Sequence, residues 1–357
     1  MTAQVGLLEV VDLDAVSVDP QTLAADTPYV GLEHLTTGGG IASYSSIGGS
    51  DVASNKFKFD ARHVLLGKLR PSLRKVGRPE HAGVCSTDIY PLRPGKRVDR
   101  NYLNHFLLHP LVGTWLADRA TGANLPRISR STLSDLQLPL PPLDEQRRIA
   151  AILDQADELR VKRRRTLALL DEMQEAAFSS HFDPSATIFR VEQVGQHVSL
   201  RSGKFLPRKA MSPGEVPVFG GNGVNGHHNV AMFSEPKIVV GRVGAQCGAV
   251  HVTPERSWVT DNAMVCTWDA SALRLDYLAD ALRFARLNQF AATTDLRQLS
   301  ASRVAAVPLA VPPLAVQDRY IAIVQRLGGA RRSAEAHLAR LDELFASLQH
   351  RAFTGQL

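Results

Sequence analysis

The sequence predicts an α+β fold: two mixed α/β modules joined by two long antiparallel coiled-coil helices, in a pseudo-twofold tandem repeat. Three observations predict it. First, the segment 138–182 recurs without a gap at 309–353, with 15 identities in 45 positions. Pro141-Pro142-Leu143 returns as Pro312-Pro313-Leu314, Gln146 as Gln317, and Leu170-Asp171-Glu172 as Leu341-Asp342-Glu343. A period of 171 residues is far too long for a solenoid unit, so whole modules are repeated. Second, both copies read as long helices. Third, the globular parts echo each other: His63–Arg70 matches Lys237–Gly244, Tyr102-Leu103 matches Tyr277-Leu278, Thr87-Asp88 matches Thr260-Asp261, and Leu125–Ser129 matches Leu296–Ser300.

The helices follow from punctuation and period. Residues 144–181 contain no Pro or Gly, and Pro141-Pro142 and Asp183-Pro184 bracket them. Ile149, Ile152, Ala156, Leu159, Leu170, Met173 and Ala177 fall in heptads, as do Tyr320, Ile323, Leu327, Ala330, Ala334, Leu341, Leu344 and Leu348 in the second copy. Polar Arg163, Thr166 and His337 interrupt the seams. The simplest burial sets each helix against the other. Gly328-Gly329 lies inside the second pattern, where each Gly costs about 1 kcal/mol relative to Ala, and predicts a kink or short break.

Short β-like runs lie at Val64–Leu66, Ile89-Tyr90, Ile238–Val240, Trp258-Val259 and Met264–Trp268, among Gly-rich turns. An amphipathic helix is predicted in each module, over Arg100–Leu116 and Leu275–Gln289. The expected domains are 1–143, a central spacer helix 144–182, a second module 183–313, and a C-terminal spacer helix 314–357.

Bulk properties narrow the function. The 357 residues suit about two domains, and 44% hydrophobic content supports packed cores. No apolar run spans a membrane, and the first residues lack a basic signal-peptide region, so a cytoplasmic protein is expected. Cys85, Cys247 and Cys266 are too few and scattered for a disulfide framework or a structural zinc site. The net charge of +6 permits a polyanionic partner. Its clustering says more. Lys56, Lys58, Arg62, Lys68, Arg70, Arg74, Lys75 and Arg78 crowd 56–78 against one acid, Asp60; Arg201, Lys204, Arg208 and Lys209 crowd the second module; Lys162–Arg165 form a third run.

Catalytic motifs fail on physical grounds. Phe219–Gly226 contains both GxGxxG and FxGxG, yet Pro217 precedes it and no helix pattern follows to receive a phosphate. Gly203-Lys204 and Gly67-Lys68 are followed by Phe205 and Leu69, where a phosphate-binding loop needs Ser or Thr for magnesium. No Asn/Asp-Pro-Pro-aromatic tetrapeptide exists, and no acid–base or metal set is recognisable. The chain reads as non-catalytic, with no metal and no cofactor of its own. Asn222, Asn225, His227, His228, Arg242 and Gln246 in one module, and Lys68, Arg70, Arg74 and Lys75 in the other, instead supply what DNA readout uses: amides that pair with adenine, cations that pair with guanine or phosphate.

These motifs together resemble the specificity subunit of type I restriction-modification systems, over almost the whole chain. The resemblance rests on the paired openings Leu138–Ile149 and Leu309–Tyr320, the ending Leu341–Leu357, and the module motifs Tyr29–His34, Leu65–Pro71, Cys85–Asp88, Val218–Gly223, Val239–Ala245 and Thr260–Ala263. It implies two target-recognition domains, each reading half of a split, asymmetric double-stranded DNA site. It further implies docking of two adenine methyltransferase subunits and of endonuclease/translocase subunits, with S-adenosylmethionine, ATP and Mg on those partners. DNA contacts then fall to Lys68, Arg70, Arg74, Lys75, Arg201, Lys204, Arg208, Lys209, Asn222, Asn225, His227, His228, Arg242 and Gln246. The subunit interface falls to Ile149, Ile152, Leu159, Leu170, Met173, Tyr320, Ile323, Leu327, Leu341, Leu344 and Leu348. The chain departs from the pattern at Ala315-Val316 and Gly328-Gly329, so equivalent docking surfaces are not expected. A helical scaffold outside restriction, or a methyltransferase in its own right, are the competing readings.

Overall fold

The computed structural model describes residues 3–50, 53–182, 189–292 and 297–357; Asp183-Pro184 and Leu296 lie outside them. The chain divides into two compact units, Met1–Arg164 with Ala336–Leu357, and Arg165–Glu335. Two long helices, the central Leu143–Phe182 and the C-terminal Leu314–Thr354, each contribute to both units.

In the first unit, Gln4–Gly6 pairs with Gln137–Pro139, closing the module at its base. A four-stranded antiparallel sheet follows in the order Val11–Leu13, Ile89–Pro94, Val64–Gly67, Val76–Gly77. Five more strands form a second sheet, in which Pro28–Val30 runs parallel to Gly83–Cys85. The second unit repeats this plan. Val191–Gln193 pairs with Pro308–Ala310, and the four-stranded order is Val198–Ser202, Ala263–Trp268, Ile238–Gly241, Val250–Val252. Its smaller sheet has three strands, Val216–Gly220 lying between Gly223–His228 and, in parallel, Trp258–Val259. The central strands Val64–Gly67 and Ile238–Gly241 are buried throughout, as apolar runs flanked on both edges must be.

The predicted amphipathic helices are both interrupted. Asp99 caps Arg100–Leu108 by accepting from Asn101 N and Tyr102 N, but the helix stops at His109. Pro110 has no N–H and forces His109 into extended backbone, so a separate helix, Pro110–Asp118, begins there. In the second unit the helix is Leu275–Phe284; Arg286 takes a left-handed conformation and a 3-10 turn, Leu287–Phe290, continues.

Each long helix is fixed to its module by a buried glutamine. Gln146 is fully buried: its Oε1 accepts from Asp99 N at 2.9 Å, and its Nε2 donates to Arg97 O and Pro141 O, both at 2.9 Å. Gln317 does the same, accepting from Arg274 N at 2.8 Å and donating to Ala272 O (2.8 Å) and Pro312 O (2.9 Å). One amide thus joins the Pro-Pro turn, the first turn of the long helix and the start of the module's own helix. Tyr102 and Tyr277, also fully buried, hydrogen-bond Pro139 O and Ala310 O at the basal strand pair.

The long helices pack together within each unit. In the first, Arg160 bonds Asp342 at 2.6 Å and stacks its guanidinium 4.2 Å from the Phe345 ring centroid, while Arg148 reaches Leu357 O. In the second, Arg331 pairs with Asp171, and Phe178 and Phe182 pack on Tyr320. Low residue numbers of one helix meet high numbers of the other in each case, so they run antiparallel.

Two expectations about the helices are corrected. Leu159, Met173 and Leu344 are about half exposed, at 47%, 54% and 49%. Leu153, Phe182 and Phe345 occupy the buried faces instead. A nearly straight helix drifts about 20° per heptad from a strict 3.5 repeat, and each face here must also cover a module core. The C-terminal helix also runs through Gly328-Gly329 without a break. Helical packing on either side outweighs the roughly 2 kcal/mol that two glycines cost.

The equivalent position on each module's helix carries a buried polar link to a long helix. His105 Nε2 bonds Asp154 at 2.9 Å, which also takes an ion pair from Arg78. Asp280, its counterpart, accepts from Gln174 Nε2 and Tyr320 Oη, both at 2.7 Å. Burial pushes the Asp154 carboxyl up, but hydrogen bonds from His105 and Arg78 and the Arg78 charge outweigh it, holding the group at about 2.

Gln146→Ala and Gln317→Ala are each expected to lower unfolding free energy by about 2–4 kcal/mol, because buried donors and acceptors lose their partner. Urea titration checks this, with exposed Gln155→Ala as the neutral control. Asp154 has a depressed folded value, so its contribution is complete above about pH 4 and is lost as pH falls towards 2. Asp154→Asn should flatten that part of the stability–pH curve, by about 1–2 kcal/mol between pH 5 and pH 2.

Candidate nucleic-acid interface

The most telling geometry is the loop that leaves each buried central strand. Residues 68–75 and 242–249 have the same backbone hydrogen bonds. Gly67 N bonds Lys75 O and Gly241 N bonds Ala249 O, both at 2.8 Å. Arg70 N bonds Pro126 O (2.9 Å) and Gly244 N bonds Arg297 O (3.0 Å); Ile128 N bonds Lys68 O and Leu299 N bonds Arg242 O. The bridges Leu69–Arg127 and Val243–Gln298 are likewise equivalent. Left-handed backbone falls at matched positions: Arg70 (φ 48) and Arg74 (φ 49) in one unit, Gly244 (φ 86) and Gly248 (φ 88) in the other. One frame therefore carries two arginines at the strained positions in one unit and two glycines in the other.

The side chains on the first loop divide in role. Arg70 is exposed, and its side chain makes no hydrogen bond or ion pair among the described residues. Lys68 sits 4.1 Å from the Tyr90 ring centroid and 5.2 Å from that of Phe57; burial pulls its ammonium pKa down, against the Asp88 charge. Arg74 donates to Leu108 O at 3.3 Å, and Lys75 to Leu32 O at 2.5 Å. Those two cations brace the loop from inside. Arg127, paired with Asp88 at 2.9 Å, lies beside the loop and was not singled out from the sequence; the repeated Leu125–Ser129 motif was its signal.

In the second unit the Gly/Asn/His segment is a β-hairpin, turning at Gly221-Asn222 between Gly220 and Gly223. Gly223 takes φ +84, and a Cβ on Gly241 would strike Gly221 O, so these glycines serve a close backbone crossing. No helix N-terminus follows the hairpin, which removes the geometry a dinucleotide loop requires. Asn222, Asn225 and Gln246 line one open cleft with Arg208 and Asn262, the latter another group missed in the sequence. His227 is exposed on the outer hairpin strand. His228 is separated from this set: it is 8% exposed, accepts from Ser212 N at 3.0 Å and meets the Trp258 ring edge-on. Arg242 reaches Ser202 Oγ at 3.4 Å. Arg201, Lys204, Arg208 and Lys209 are all exposed.

Of the seam residues, Ile149 and Tyr320 are buried in the cores of their own units, at 3% and 0%. Ile152, Leu170, Ile323, Leu327, Leu341 and Leu348 are half-buried, and Leu159, Met173 and Leu344 face solvent. Among the described residues no helix is long and apolar enough to cross a membrane, and no cluster of three His, Cys, Asp or Glu is placed to hold a metal ion.

Residues 24–169 match the family model of the type I restriction modification DNA specificity domain. It is similar to the Escherichia coli type I restriction enzyme EcoDI specificity subunit, with 28% identity over 162 residues, 44% of this chain and 36% of that protein. It is also 28% identical to the Escherichia coli EcoprrI specificity subunit over 134 residues, 38% of this chain and 32% of that one. The matched segments thus span about a third of these relatives' length. The fold extends further. The type I restriction-modification S subunit from M. genitalium aligns with 99% of this chain and 96% of its own at a TM-score of 0.63 and 14% identity. A chain from a structure of type I R-M complex assembly and conformational transition aligns over 99% and 98% at 0.57 and 19%. Over its whole length the chain has the specificity-subunit fold.

The loop geometry predicts unequal tolerance. Arg70→Gly should leave stability unchanged or raise it by about 1 kcal/mol, since glycine removes left-handed strain. Gly248→Ala should cost more than about 2 kcal/mol, because its Cβ would lie 2.5 Å from Asn288 N as well as at positive φ. Thermal unfolding of the two variants reads the contrast.

Proposed function

We propose that this chain is the DNA-recognition and scaffold subunit of a type I restriction-modification enzyme, acting in the cytoplasm and reading a bipartite, asymmetric site. Each module reads one half. A fixed number of unread base pairs separates the two halves. Two methyltransferase subunits dock on the scaffold and methylate adenine, and endonuclease/translocase subunits join that core. Bond making and breaking, with S-adenosylmethionine, ATP and Mg, belong to those partners.

One observation carries this reading: the same loop frame occurs twice with different side chains on it. A duplicated frame with identical side chains would suit a palindrome; two unlike loops suit two unlike half-sites. Exposed Arg70, Arg201, Lys204, Arg208 and Lys209 are suited to phosphate, which sets affinity, while the Asn222, Asn225 and Gln246 amides are suited to base edges. The relatives named above are specificity subunits, which supports the same assignment.

The test is adenine-methylation mapping in cells expressing the chain with its methyltransferase partner. Exchanging residues 1–137 for those of a relative should change one half of the methylated sequence and leave the other intact. Changes in both halves would count against modular reading. Binding should weaken steeply with salt, and Arg201→Ala with Lys209→Ala should reduce the log–log slope by roughly 0.9 per phosphate contact removed.

A further inference from the structure

We propose that Phe205 is a wedge that inserts between base pairs of the half-site read by the second module; this rests on the DNA-recognition reading above. Phe205 is 69% exposed, in a connection between Val198–Ser202 and Val216–Gly220 whose charged groups are Lys204, Arg208, Lys209 and, at its far end, Glu215. With Arg201 on the preceding strand, four cations stand against that one acid. All four are exposed, and none makes an ion pair among the described residues. A lone exposed phenylalanine needs no explanation on an ordinary surface. Here the surroundings select its partner. Four cations without ion pairs favour a polyanion over an apolar protein surface. A nucleic acid presents both things at once, phosphates for the cations and a flat apolar face for the ring.

The loop is held on both sides of Phe205, so the ring is presented rather than trailing. Before it, Gly203 N bonds Ala263 O (3.0 Å), Lys204 N bonds Val259 O (2.9 Å), and Trp258 Nε1 donates to Lys204 O (3.2 Å). Gly203 runs so close to the Val259 and Thr260 carbonyls that no Cβ fits there. The Lys204 ammonium lies 5.8 Å from the centre of the Trp258 ring. After it, Pro207 and the 3-10 turn Arg208–Ala210 stiffen the chain, and Ser212 N bonds His228 on the hairpin. Arg208 also lines the cleft of Asn222, Asn225 and Gln246, so the loop that carries Phe205 adjoins the amides suited to base edges.

The first module has no equivalent. Its corresponding connection, 14–27, holds Asp14, Asp19 and Asp26 with no Lys, Arg or aromatic residue. The distortion therefore falls in one half-site only.

The experiment uses the full chain with its methyltransferase partner and a duplex of about 30 bp carrying the site mapped by adenine methylation. 2-Aminopurine, which brightens when unstacked, replaces purines one at a time at positions other than the target adenines, which the methyltransferase itself flips out. The wild type should raise fluorescence at one step in one half-site. Phe205→Ala should abolish that rise and weaken binding by about 10- to 100-fold with an unchanged salt slope, whereas Phe205→Leu retains part of both. Lys209→Ala should instead lower the salt slope and keep the fluorescence signal. A wild type that unstacks no base, or a Phe205→Ala complex that binds and brightens like wild type, overturns the wedge while leaving sequence recognition standing. Failure of the wild type to distinguish the mapped duplex from a scrambled one overturns both.

Discussion

Everything in this fold hangs from two buried side-chain amides. Gln146 and Gln317 each use their oxygen and both amide hydrogens on three backbone groups from two parts of the chain. A shorter or singly functional side chain could not close that set, and the groups left behind would be buried without water. Because the bonds tie the start of a long helix to the start of the module's own helix, they fix the angle at which module and rod meet. The basal strand pair and the Tyr102 and Tyr277 hydroxyls secure the same junction from the other side.

Above the junction the two units diverge in graded fashion. The four-stranded sheets keep the same order. The smaller sheets differ, with five strands in one unit and three in the other, although the parallel pairings Tyr29–Val84 and Val218–Trp258 survive in both. The polar link on the module helix keeps its place but exchanges chemistry, histidine-to-aspartate in one unit and aspartate-to-glutamine-and-tyrosine in the other. On the loops 68–75 and 242–249 the backbone hydrogen bonds correspond while the side chains differ.

Much of this was legible in the sequence because repeats reveal what packing demands. The Pro-Pro-Leu turn, the paired Gln and Tyr, and the apolar runs ending in Gly-Lys and Gly-Arg all recur, and all are buried or hydrogen-bonded in the structure. The short runs Val64–Leu66, Ile238–Val240 and Met264–Trp268 were equally plain from their β-branched and apolar content, and each lies within a strand one residue longer. Side-chain direction was not. Arg74 and Lys75 read as a basic patch, but both are half-buried and donate to the carbonyls of Leu108 and Leu32. His228 differs from His227 only by strand alternation, which no composition argument resolves without the hairpin register. The helix seams misled at Leu159, Met173 and Leu344 because three surfaces, not two, compete for each helix. Arg127 and Asn262 escaped notice since their role depends on chain segments that meet only in three dimensions.

The matched left-handed positions bear on how such a protein can change. In the first unit both sites already accommodate a side chain, so substitution there alters what is displayed without rebuilding the loop. In the second, Gly248 abuts the backbone at Leu287 and Asn288 and admits nothing larger, though Gly244 opens onto empty space. Side-chain variety should therefore be tolerated more readily on the first unit's loop, and Gly244 is the matched position at which the second loop has room for the same change.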